Sequence, residues 1–90
     1  MPRMRILPTT EAEISYPFTV RGDEQLAVRA NGLAGAEEVV VQMYDGVDFV
    51  DMTDDLATLT AAAPATQITA SGMYRLRKTA TAGMASAIAG

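Results

Sequence analysis

The chain reads as an all-β domain, a small antiparallel β-sandwich or barrel of about seven short strands with an extended N-terminal arm. Two observations carry that reading. Short runs alternate apolar with polar side chains, the period of half-buried strands. The runs recur at spacings near 8 to 12 residues, and turn residues, above all Gly22, Asn31-Gly32, Asp45-Gly46, Pro64 and Ser71-Gly72, punctuate them. The helix-prone stretches, around Ala34 to Glu37 and in the alanine-rich end, are too short to be stable alone.

Residues 1–13 form the arm and residues 14–90 a single β domain. Pro2, Pro8, Arg3, Arg5 and an isolated Ile6-Leu7 pair cannot fold on themselves, so the arm either docks, fixing register on a neighbour, or frays. Residues 14–20 carry the cleanest alternation, with Ile14, Tyr16, Phe18 and Val20 on one face. Pro17 lacks an N–H and places this strand at a sheet edge or a bulge. After a turn around Gly22, residues 25–30 resume the alternation with Leu26, Val28 and Ala30, and the two strands read as an antiparallel hairpin.

Residues 39–44, Val-Val-Val-Gln-Met-Tyr, are apolar on nearly both faces and belong mid-sheet. Asp45-Gly46 is the strongest hairpin signal and hands the chain to a return strand over residues 47–52. Threonine-rich residues 56–61, with Leu56 and Leu59, and edge-type residues 66–70, around Ile68, are two further short strands. Ser71-Gly72 then releases the strand that organises the chain, with Tyr74 and Leu76 on one face and Arg75 and Arg77 on the other. Residues 79–90 hold no charge, which points to burial, either as a last strand through Met84 and Ile88 or against a neighbour.

Composition restricts the chemistry. The chain has 90 residues and neither cysteine nor histidine, so disulfides, thiolate or imidazole metal sites and the commonest acid-base group are absent. A net charge of -4 argues against nucleic acid as a partner. No stretch approaches the roughly 18 to 20 apolar residues of a membrane span, and the start lacks the apolar run of a secretory signal. A soluble chain with no membrane partner is expected. A domain this small buries only about 60 to 65% of its unfolded surface, so a partner subunit is one way to add stability.

The individual motifs are mostly bland. Arg21-Gly22-Asp23 spells an integrin-read tripeptide, but on an ordinary turn. Asp45, Asp48, Asp51, Asp54 and Asp55 lack the spacing of a calcium loop and read as a solvated rim. No constellation for an enzyme can be assembled, and neither catalytic residues nor a cofactor are expected. Arg75, Arg77 and Lys78 form the one cationic cluster. They either pair across their own sheet or meet the aspartate-rich hairpin of another copy, with Val40 and Tyr44 supplying an apolar patch.

Residues 25–83 carry Asn31-Gly32-Leu33, Gly35-Ala36-Glu37, a valine strand into Asp45-Gly46, Leu59-Thr60-Ala61, Ile68, Gly72-Met73-Tyr74-Arg75-Leu76 and Thr81-Ala82-Gly83. In order and spacing this stretch resembles the small structural proteins of tailed bacteriophage particles, of the kind that decorate or cement heads. The resemblance implies a non-enzymatic, oligomeric virion protein, in contact with the major capsid protein or another virion protein. Its interface would use Arg3, Arg5, Ile6, Leu7, Val40, Tyr44, Arg75 and Arg77. A tail or neck assembly protein, and a host-surface or carbohydrate-binding module, are the alternatives.

Overall fold

A computed structural model describes residues 4–52 and 58–90. Among the described residues there is no helix, and two antiparallel sheets form the all-β sandwich that the alternation predicts, with ten strands rather than about seven. They are β1 (Met4–Thr9), β2 (Glu13–Ile14), β3 (Phe18–Val20), β4 (Leu26–Asn31), β5 (Glu38–Tyr44), β6 (Phe49–Asp51), β7 (Thr58–Thr60), β8 (Ala65–Ile68), β9 (Gly72–Lys78) and β10 (Ala85–Ala89). The first sheet has the order β1-β10-β4-β8. The second is centred on β9 and β5, flanked by β2 and β3 on one side and by β6 and β7 on the other. Arg3, Asp54, Asp55 and Leu56 lie outside the described residues.

The core fills the space between the sheets. Ile6, Leu26, Val28, Ala30, Ile68, Ala87 and Ala89 face inward from the first sheet; Phe18, Val20, Val39, Val41, Leu59, Tyr74 and Leu76 face them from the second. As β9's alternation requires, Tyr74 and Leu76 are fully buried while Arg75 and Arg77 are on the outer surface. The Tyr74 ring stacks on Phe18 at 6.3 Å, and its hydroxyl donates to the Ala70 carbonyl at 2.7 Å. Burial raises the phenol's pKa above its ordinary value.

Where the structure departs from the sequence reading, the causes are specific. Residues 14–20 are not one straight strand. Ile14 pairs with Arg77 and Phe18 with Tyr74, so three residues on one side oppose two on the other, the signature of a bulge. Ser15 turns inward there. Its N–H donates to the Leu76 carbonyl, and its hydroxyl accepts the Leu76 N–H at 2.9 Å, standing in for a ladder carbonyl. The bulge reverses parity, so Ile14 and Tyr16 face solvent while Phe18 and Val20 stay in the core.

The expected hairpin between residues 14–20 and 25–30 is also absent. β3 pairs with β9 in the second sheet, and β4 crosses to the first sheet to lie between β10 and β8. Inward-facing Val20 and Leu26 thus reach the core from opposite sides, burying both on shared apolar contact rather than across one ladder. By contrast, Asp45-Gly46 does form a hairpin. β5 pairs with β6 around a four-residue loop, and Gly46 takes φ +103° there.

The uncharged end becomes β10, an interior strand of the first sheet. Its parity is opposite to that expected: Ala85, Ala87 and Ala89 face inward, while Met84 and Ile88 are exposed. Small side chains fit there because the second sheet already supplies Tyr74, Phe18 and Leu76 to the same interior. The arm meanwhile docks on its own chain. β1 pairs with β10 through Met4–Ala89, Arg5–Ile88 and Ile6–Ala87, which puts Ile6 in the core rather than on a neighbour.

Candidate functional site

The outer face of the second sheet gathers Tyr44, Arg75 and Arg77 into a bonded network. The cross-strand row Arg75, Gln42, Asp51 runs over β9, β5 and β6. Arg75 Nε donates to Gln42 Oε1 at 2.6 Å, and Gln42 Nε2 donates to Asp51 Oδ1 at 2.7 Å. Arg77 donates to the other carboxylate oxygen, Asp51 Oδ2, at 3.1 Å. The Arg75 guanidinium also lies 4.3 Å over the Phe49 ring, which packs on Tyr44 at 5.2 Å. The Gln42 hydrogen bond, and then the Arg77 charge, hold the Asp51 carboxyl below the usual carboxylate range.

Both arginines therefore make their polar contacts within their own sheet. Such a half-exposed ion pair contributes about 0 to 1 kcal/mol, so its main effect is to order the side chains. Lys78 does not belong to the cluster. It points to the inner face, is fully buried, and donates to the carbonyls of Glu11 at 2.7 Å and Thr79 at 3.2 Å. Val40 is on the outer face but only 4% exposed, in the row between Arg77 and Thr58. It supplies no patch, because the long aliphatic stem of its cross-strand neighbour Arg77 is placed to cover it.

A group of exposed apolar side chains sharing one groove lies elsewhere, at the seam where edge strands of the two sheets meet. Leu7 is 65% exposed, Ile14 53% and Tyr16 81%, and all three line one groove of about 240 Å³ between β1 and β2. β1 pairs only with β10 and β2 only with β9, so each leaves one backbone edge without a strand partner among the described residues. The connection between them is tied down. The Thr81 N–H donates to the Thr10 carbonyl at 2.9 Å, the Thr81 hydroxyl contacts the Thr9 carbonyl at 3.3 Å, and Lys78 holds Glu11. The groove is thus pre-shaped, which lowers the ordering cost of anything that enters it.

The outer face of the first sheet is cationic. Arg5, Ile88, Arg29 and Ala65 form one cross-strand row over β1, β10, β4 and β8. The β5–β6 turn carries two acidic groups, Asp45 and Asp48. There Asp45 Oδ1 accepts the N–H groups of Asp48 at 2.8 Å and Val47 at 2.9 Å. Those two bonds keep the Asp45 carboxyl charged below its ordinary range. Among the described residues no group of three or more acidic side chains converges on a point that could hold a metal ion.

Of the residues expected at an interface, the structure brings together Tyr44, Arg75 and Arg77 on one sheet, and Arg5 and Leu7 on the other. Ile6 and Val40 are buried. Gln42 and Phe49, which complete the network with Asp51, and Arg29 did not stand out in the sequence; Asp51 reads there as part of a solvated rim, and Ile14 and Tyr16 as sharing a face with Phe18 and Val20. Arg29 carried a usable signal, since it alternates with core-facing Val28 and Ala30. Compared with protein-family models, with curated proteins and with solved structures, the chain matches none.

Proposed function

We propose that the chain is a non-enzymatic structural subunit of a bacteriophage virion, which decorates or cements the capsid through contacts with the major capsid protein. The observation that supports this most is the apolar seam. Three large side chains, Leu7, Ile14 and Tyr16, stand exposed on one pre-shaped groove flanked by two unpaired strand edges. Exposed apolar clusters of this kind mark protein-binding surfaces, and open edges accept an added strand. Repetition over a lattice lets individually weak contacts add up, because each further attachment is effectively intramolecular. A tail or neck assembly role is the alternative, and would use the same seam on a different shell protein.

Adding the purified chain to particles that lack it tests the reading. Wild type should co-sediment with the particles. Leu7→Glu and Tyr16→Glu should each weaken that binding about tenfold or more, because each buries a charge in an apolar contact, with little change in thermal midpoint. Equal binding by wild type and both variants, or no binding by wild type, would refute it.

A further inference from the structure

We infer that the chain associates head to tail with copies of itself, the β5–β6 turn of one copy seating on the outer face of the first sheet of the next. The receiving face presents a cation, an apolar side chain and a second cation in a single row, Arg5, Ile88 and Arg29. Neither guanidinium has an ion pair or hydrogen bond to a described residue. Beside the row is a depression of about 460 Å³ floored by Ala65, Ser86 and Ile88. Ala27, exposed on the same face of β4 as Arg29, adds another small side chain, and the depression is open to a convex visitor.

The turn presents the complementary order. Val47, 89% exposed, is flanked along the turn by Asp45 and Asp48, whose carboxylates each also accept backbone N–H groups of the turn. The tip is rigid: the Asp45 N–H donates to the Asp48 carbonyl at 3.0 Å, Asp45 accepts two N–H groups, and the Tyr44 hydroxyl donates to the Gly46 carbonyl. An anion, an apolar tip and an anion thus meet a cation, an apolar floor and a cation. Two receiving faces cannot pair by a two-fold axis, since arginines would oppose arginines and no acid lies in the row to separate them. The contact joins two different surfaces, so a copy whose tip is seated still offers its own face, and the contact propagates into a ring or an open chain unless tip and face engage reciprocally about a two-fold axis. It does not depend on the virion reading, and the purified chain alone tests it.

A single turn buries little area, so each contact should be weak, with Kd of about 0.1 to 1 mM, and sensitive to salt. Sedimentation velocity at millimolar concentration should show wild-type mass rising with concentration and falling with salt. Arg5→Glu with Arg29→Glu spoils only the face; Val47→Lys with Asp48→Lys spoils only the tip. Each double variant alone should lose association about tenfold or more. Mixed in equal amounts they should form a one-to-one dimer that grows no further, the intact tip of the first on the intact face of the second. The milder pair Arg5→Gln with Arg29→Gln serves if the glutamates disturb folding by circular dichroism. A monomeric wild type at millimolar concentration, a double variant that associates like wild type, or a mixture of folded variants that stays monomeric would each overturn the inference.

Discussion

Tyr74→Ala is expected to lower the unfolding free energy by about 3 to 5 kcal/mol, the usual cost of deleting a buried aromatic ring. A domain of 90 residues has about 5 to 13 kcal/mol in all, so the variant should be largely unfolded well below the wild-type transition. The size of the effect follows from position. Tyr74 is fully buried on the central strand of the second sheet, stacks on Phe18, and belongs to a core in which alanines supply part of the first sheet's contribution, so little bulk is at hand to fill the void. Tyr74→Phe separates the hydroxyl from the ring. It keeps the packing but removes the bond to the Ala70 carbonyl, and should cost only about 1 kcal/mol. Urea titration of both variants checks this. A Tyr74→Ala loss below about 1 kcal/mol would show that the ring does not organise the core.

The second large effect is expected at Gly32. Its φ of +84° is one that L side chains rarely adopt, and a Cβ built there would sit 2.5 Å from the Met84 carbonyl oxygen. Gly32→Ala combines a left-handed backbone penalty with a backbone collision, for at least about 2 kcal/mol. The collision falls beside the Ser86–Asn31 pair, so the damage should appear where β10 meets β4. Faster amide hydrogen exchange at Ala87 and Ile88 would report it. Gly22→Ala is the control. Its φ is ordinary and no atom lies within 4 Å of its built Cβ, so its effect should stay within about 0.5 kcal/mol. Equal losses at the two glycines would contradict the geometry at Gly32.

Much of the fold is legible in residue patterns because strand periodicity is a local property. The alternation in β9 separates Tyr74 and Leu76 from Arg75 and Arg77 correctly, the valine run marks β5 as central, and Asp45-Gly46 makes its hairpin. What alternation does not reveal is which strand pairs with which. β3 and β4 follow each other directly, yet β3 finds β9 and β4 finds β10, both distant in sequence. Pro17 signalled an edge or a bulge, but only the inward turn of Ser15 tells that Ile14 and Tyr16 end up outside. In β10 the alanines were too small to announce which parity was core, so larger Met84 and Ile88 misdirected the assignment.

The surfaces were less legible for the same reason. Val40 belongs to a strand apolar on both faces, and its coverage depends on a cross-strand neighbour 37 positions away, Arg77, which no local pattern names. The partners of Arg75 and Arg77 are set by register between β9, β5 and β6. Leu7, Ile14 and Tyr16 converge only because β1 and β2 are edges of different sheets joined by a pinned connection.

An image reconstruction of the bacteriophage particles proposed to contain the chain tests the structural-subunit proposal most directly. The expected result is repeated density for a two-sheet sandwich on the outer capsid surface, with the edge bearing Leu7, Ile14 and Tyr16 turned toward the shell. Fully assembled particles with no such density, and the chain recovered only as free monomer beside them, would contradict it.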